Sequence, residues 1–146
     1  MSSLSHNGAS LAYRLLPGAG PLVVFLPGYM SDMTGSKAEA LSDWARAHGR
    51  AFLRLDYSGC GASSGDFLDG SIGRWTDDAL ALINHVWPVG KVLLVGSSMG
   101  GWIALLAGRA LKDRLAGLVG VAAAPDFTVW GLKLGEAERR QLEAQG

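Results

Sequence analysis

Residues 91–101 read Lys-Val-Leu-Leu-Val-Gly-Ser-Ser-Met-Gly-Gly, an apolar run that ends on Gly96-Ser97-Ser98-Met99-Gly100 and passes into Gly101. A serine flanked by glycine two positions before and two after, between a strand and a helix, has the G-x-S-x-G pattern of a nucleophile elbow. The chemistry of such a serine is attack on a carbonyl carbon. The bend forces the serine into a strained backbone conformation, so Gly96 and Gly100 are needed there for their lack of a side chain. Ser98 is the nucleophile on this reading and Ser97 only its neighbour. At the positive end of the following helix, Ser98 stands where developing oxyanion charge is favoured. Gly96, Ser98 and Gly101 also loosely imitate a dinucleotide fingerprint with its middle glycine replaced. The agreement of strand, pentapeptide and helix favours the elbow.

Acyl transfer needs backbone donors aimed at the oxyanion. One is the amide of Met99, the residue after the nucleophile. The other comes from Phe25-Leu26-Pro27-Gly28-Tyr29-Met30-Ser31-Asp32-Met33, an apolar run broken at Pro27-Gly28, in which the Tyr29 amide is the candidate. The same loop also reads as an ordinary turn carrying a surface aromatic. A third segment, Asp56 to Ser63, has the spacing D-x-x-G-x-G-x-S. Its two glycines permit a tight turn and Asp56 can accept from amides within the loop, so its role is architectural and Cys60 is a packing residue. Met30, Met33, Trp102, Phe127 and Trp130 are candidates to line an acyl pocket, although such residues are more often core.

The order nucleophile, acid, histidine is not completed after Ser98. No histidine follows it; His6, His48 and His85 all precede it, and each has a structural explanation. Asp113 and Asp126 do follow it, and Asp126 lies just past the last apolar run. The acid and the histidine are therefore left unassigned. A serine without its base keeps only the residual acceleration of oxyanion hole and binding, about 10³ to 10⁴ over water.

The elements that must position these residues follow from the pattern of apolar runs. Ser10 to Leu16 reads as a first strand, and Pro17 to Pro21 as a turn cluster. Leu22–Leu26, Phe52–Leu55, Lys91–Val95 and Leu115–Val121 are short, β-branched-rich or Leu-rich strands, as expected when both faces are buried. Between them lie helices over Ser36–His48, opened by a Ser36/Glu39 capping box, Ser71–Trp87 and Met99–Lys112. In the second of these, Trp75, Leu82, Ile83 and Val86 recur at helical spacing as a buried face. The alternation predicts an α/β fold with a mainly parallel sheet and helices on both faces. The charged stretch after Gly131 reads as a surface helix or the start of a lid. The strand over Leu115–Val121 is left with an unblocked edge that invites self-association.

Composition bounds the rest. The chain has 146 residues, 13 Lys plus Arg against 13 Asp plus Glu, 49% hydrophobic residues and 21 glycines. That is one globular domain, neither disordered nor carrying the basic footprint of a nucleic-acid binder, and no run reaches the length of a membrane span. A single cysteine allows no internal disulfide and no zinc-type cluster, and the first residues do not look like a leader, so the expected compartment is cytoplasmic.

Taken in order, strand-Pro27-Gly28-Tyr29, Asp56 to Ser63 and Gly96 to Gly100 resemble the α/β-hydrolases. Phe25–Lys37, Arg54–Gly61 and Val95–Trp102 look like the branch holding the mitochondrial palmitoyl-protein thioesterase and acyl-glucuronide esterase, with its bacterial relatives. The similarity runs from about Gly20 onward. Pro27 stands where many α/β-hydrolases have histidine, but Pro-Gly-Tyr is what this branch shows. The resemblance implies hydrolysis of esters or thioesters through an acyl-enzyme at Ser98, on a small-molecule or acylated-protein substrate, with no metal or cofactor. It also implies that this chain is an incomplete domain lacking the last strands and the triad Asp and His. A non-catalytic interaction module or a gene fragment is the alternative.

Overall fold

The structure is a computed structural model that describes residues 1–130 and 135–145. Its strands are β1 (Ser2–His6), β2 (Ala9–Leu16), β3 (Ala19–Leu26), β4 (Arg50–Leu55), β5 (Val92–Ser97) and β6 (Leu115–Val121). Its helices are α1 (Ser36–Ala47), α2 (Ile72–Val86), α3 (Met99–Leu111), α4 (Phe127–Trp130) and α5 (Glu136–Gln145). The strands form one sheet in the order β1-β2-β4-β3-β5-β6. β4, β3, β5 and β6 run parallel, whereas β1 and β2 are antiparallel additions.

Alternation along the strands builds two cores. Leu22, Val24 and Leu26 of β3, Leu53 and Leu55 of β4, and Val92 and Leu94 of β5 pack with Trp75, Leu82 and Ile83 of α2 and Ile103 and Ala107 of α3. Val23, Phe25, Phe52 and Val95 face the other way, onto Ala38 and Ala45 of α1. A strand buried on both faces has no polar side to show, hence the continuous apolar runs. Only Arg54 interrupts this on β4; it lies on the α1 side, buried, with its Nη1 donating to Glu39 Oε1 at 2.7 Å.

Three local expectations are corrected. The turn cluster at 17–21 is partly strand, because β3 begins at Ala19, whose amide donates to the Gly49 carbonyl at 2.8 Å, and the register with β4 breaks between Ala19 and Val23. Pairing with a neighbouring strand overrides the local turn chemistry there. The Ser36/Glu39 capping box does not form: the N-cap of α1 is Gly35, without a side-chain cap, and the Glu39 carboxylate pairs with Arg54 instead. The run read as the first strand, Ser10 to Leu16, is the second: β1 precedes it and folds onto β2 through Asn7 and Gly8, both at positive φ. Asn-Gly is the preferred two-residue hairpin turn, and that signal was present in the sequence.

α2 has the cap its sequence offers, Ser71 Oγ accepting from the Arg74 amide at 3.1 Å. Of the charged segment after Gly131, residues 131–134 and 146 lie outside the described part, Lys133 among them, and the remainder is α5.

Leu94 is fully buried in the central strand β5. Leu94→Ala is expected to lower the unfolding free energy by about 2–5 kcal/mol in a urea titration. Leu68→Ala, at a residue 87% exposed, is expected to change it by less than about 0.5 kcal/mol.

Candidate functional site

β5 carries its apolar run to Val95 and Gly96, then the chain reverses at Ser98 into α3. Ser98 has φ 55° and ψ −120°, the sparsely populated region that the elbow reading requires, and it is exposed. Gly96 and Gly100 are the reason the reversal fits. A Cβ on Gly96 would collide with the Gly100 carbonyl, and a Cβ on Gly100 with the carbonyl of Leu26. Three hydrogen bonds hold the bend: Ser98 N to Val121 O at 3.0 Å, Gly101 N to Ser98 O at 2.9 Å, and Ala124 N to Ser98 O at 3.0 Å. Two of them reach to the end of β6 and just beyond, so the sheet itself fixes the position of Ser98.

The loop leaving β3 lies against this bend. Pro27 and Gly28 are buried, and a Cβ on Gly28 would stand 3.2 Å from Ser98 Cβ and 3.8 Å from its Oγ. The Gly28 carbonyl accepts from the Ser31 amide at 3.2 Å, a tight turn that carries Tyr29 and Met30 into solvent, with Met30 at φ 52°. Neither the Tyr29 nor the Met99 amide donates to a backbone carbonyl among the described residues. The Tyr29 ring meets Phe67 edge-on at 5.6 Å and Phe127 at 6.1 Å, and Phe127 meets Trp102 at 5.9 Å. Of the residues suggested for an acyl pocket, Met30, Trp102 and Phe127 are thus near this rim. Met33 is not: it is 1% exposed, a core residue. The side chain of Trp130 lies outside the described part.

Asp56 reaches further than its own loop. Its Oδ2 accepts from the Ala62 amide at 2.9 Å, in space left by Gly61, and its Oδ1 accepts from the Met33 amide at 2.8 Å in the loop after β3. Burial pushes its pKa up, against the downward pull of the two amides. The Tyr57 hydroxyl donates to the Pro27 carbonyl at 2.9 Å, a buried contact between residues thirty apart that no local pattern announces. Ser63 Oγ donates to the Asp56 carbonyl at 2.7 Å and accepts from Ala12 at 2.8 Å.

The histidines are all engaged elsewhere. His6 Nε2 lies 3.0 Å from Asp77 Oδ2, His48 Nδ1 lies 2.8 Å from the Trp44 carbonyl, and the His85 ring packs edge-on against Tyr13. Asp126 is exposed at φ 52° and its carbonyl accepts from Val129. Among the described residues no group of three or more His, Cys, Asp or Glu is placed to hold a metal ion. No helix among them is long and apolar enough to cross a membrane.

A mixed six-stranded sheet, parallel from β4 to β6 with α1 on one face and α2 and α3 on the other, is the fold of the α/β-hydrolases. The chain belongs to that superfamily's group described as "Serine aminopeptidase, S33", whose family profile matches residues 19–136. It is 42% identical over 120 residues to the palmitoyl-protein thioesterase ABHD10, mitochondrial, of Homo sapiens, covering 82% of this chain and 39% of that protein. For the Bos taurus protein of that name the figures are 38% over 138 residues, 94% and 45%. Among solved structures, mouse alpha/beta hydrolase domain-containing protein 10 superposes with a TM-score of 0.88 at 37% identity, over 99% of this chain and 58% of that one. An Agrobacterium vitis S4 protein gives 0.86 at 43% identity, over 99% and 60%. The chain therefore spans less than half the length of these curated relatives.

The expectation of a cytoplasmic protein is overturned by these comparisons, since the curated relatives are named as mitochondrial. The inference from cysteine failed because a missing disulfide reports the redox poise of a compartment and not its address.

Cys60 is buried, and burial together with Asp56 and Asp78 pushes its thiol up to about 11. A thiol there is almost wholly protonated at pH 8, so its reaction with Ellman's reagent is expected to be at least ~100-fold slower in the native protein than in urea.

Proposed function

We propose that this chain carries the nucleophile and oxyanion elements of a serine hydrolase acting on carboxylic esters or thioesters, of small molecules or acylated proteins. The observation that carries the reading is the exposed Ser98 at φ 55° and ψ −120°, between β5 and α3, with Gly28 of the neighbouring loop against it. Ser98 Oγ adds to the substrate carbonyl carbon and loses its proton to a base. The amides of Met99 and Tyr29 hold the oxyanion. The carbon–oxygen or carbon–sulfur bond then breaks, the alcohol or thiol leaves with the proton, and water hydrolyses the acyl-enzyme. Ser98, Met99 and Tyr29 do this work with Gly96 and Gly100 making room, and no metal or cofactor enters the scheme. The aromatic rim of Tyr29, Phe67, Phe127 and Trp102 suits an apolar acyl or aryl group. The names of the matched relatives as palmitoyl-protein thioesterases support the thioester side of this reading. The acid and the base of the triad are left unassigned.

In the intact full-length protein a fluorophosphonate probe is expected to label Ser98, located by mass spectrometry of the labelled peptide, and Ser98→Ala to abolish the label. Labelling that survives the substitution rejects the reading.

A second reading is favoured by one feature. β6 forms the sheet edge, with Val119 48% and Val121 36% exposed. Beside it runs a groove of about 540 Å³ lined by Phe25, Trp44, Leu93, Val95, Val119 and Val121. Among the described residues that edge has no partner strand and that apolar face no cover, which makes them a template for association, and we propose a second copy of this chain as the occupant. Sedimentation velocity at micromolar concentration is expected to show a dimer that Val119→Lys dissociates; a monomer rejects this reading.

A further inference from the structure

The geometry points to Tyr57 as a positioning residue of the oxyanion loop: its hydroxyl, by holding the Pro27 carbonyl, fixes the stretch of backbone from which the Tyr29 amide emerges. This rests on the hydrolase reading of Ser98 proposed above and adds a residue to it.

The tip of the loop after β3 is exposed, Tyr29 at 52% and Met30 at 75%. A donor on an exposed tip keeps its aim only if its flanks are held. Both flanks are gripped from the end of β4. On the far side, the Met33 amide donates to Asp56 Oδ1 at 2.8 Å, and Arg54 Nη1 donates to the Met33 carbonyl at 3.2 Å. On the near side, two residues before Tyr29, the grip is Tyr57 Oη donating to the Pro27 carbonyl at 2.9 Å. Pro27 has no amide hydrogen, so its carbonyl is the only polar handle that residue offers.

That carbonyl oxygen is also where the two halves of the site meet. A Cβ on Gly100 would stand 2.6 Å from it, so the elbow helix passes as close to the oxygen as backbone allows. Tyr57 thus sets the loop against the helix that carries Ser98. Its own freedom is small: it is 0% exposed, its ring stacks on Trp75 at 5.9 Å, and Trp75 Nε1 donates to the Ser58 carbonyl at 3.0 Å. Burial raises the phenol well above its ordinary value, so the hydroxyl stays a donor across the working pH range.

Tyr57→Phe removes only the hydroxyl and keeps the ring on Trp75. In the intact full-length protein it is expected to lower kcat for an acyl ester by about 10-fold or more while KM stays within about 2-fold, the pattern of an interaction felt in the transition state alone. The preference for the ester over the matching thionoester is expected to shrink as well, because sulfur accepts hydrogen bonds poorly and gains least from well-aimed amides. A loss of folded enzyme lowers both rates and leaves that ratio alone. The rate constant for fluorophosphonate labelling of Ser98 is expected to fall by a similar factor, and serves where turnover is slow. Tyr13→Phe, on β2 and away from the loop, is the control and keeps parental values. Parental rates in Tyr57→Phe, or lower rates with an unchanged ester-to-thionoester ratio, overturn the assignment of Tyr57. Turnover or labelling retained by Ser98→Ala overturns the hydrolase reading itself, as does an intact full-length parent that neither turns over nor labels.

Discussion

The left-handed backbone at Ser98 is the constraint on which the other features of the site depend. A non-glycine residue held at φ 55° and ψ −120° costs on the order of 1–3 kcal/mol and persists only where its surroundings over-determine it. They do so here in two ways. Hydrogen bonds from Ser98 to Val121 and from Ala124 to Ser98 tie the bend to the end of β6. Bare glycines at 96 and 100 let the turn close on itself and on the carbonyl of Leu26. The strained residue is anchored on both sides, by β6 and by β3.

The second structural theme is the division of labour along β4. Its inward residues fill the larger core, while Arg54 near its end and Asp56 and Tyr57 just past it serve the neighbouring loop. Arg54, Asp56 and Tyr57 are all buried, and all three are hydrogen-bonded to the loop after β3. Buried polar groups must be partnered, and backbone groups of an irregular loop must find partners too. Each requirement satisfies the other. The segment from Asp56 to Ser63 is therefore a support for the loop after β3, in keeping with the raised pKa of Cys60 within it.

The comparisons place this architecture in a family whose members extend well past it. Relatives with 42% identity are matched over 39% to 40% of their length. The family profile matches residues 19–136, a stretch that holds β3 to β6 and the loops between them. On the α1 side, Val119 and Val121 of β6 stay exposed among the described residues, which gives the groove beside them its character.

Much of the parallel sheet was legible in the sequence. The strands over 22–26, 52–55 and 92–95 announced themselves because a strand buried on both faces shows mostly apolar residues, whereas the run over 115–121 is a strand of the sheet edge, partly exposed and not buried on both faces. The sharp reversal at Ser98 was legible because steric exclusion at two fixed offsets leaves glycine as the residue that fits. Where local chemistry and long-range pairing disagreed, the sequence misled: Pro and Gly at 17–21 suggested a turn where β4 draws the chain into β3, and Ser36 with Glu39 suggested a cap where Arg54 takes the carboxylate. The contacts of Tyr57 with Pro27 and of Asp56 with Met33, thirty and twenty-three positions apart, belong to the tertiary structure alone. Spacing along a chain encodes only forces that act within a few residues, such as strain, capping and amphipathic period. Which loops meet at the edge of a sheet is decided by strand order, and strand order is a property of the whole packed molecule.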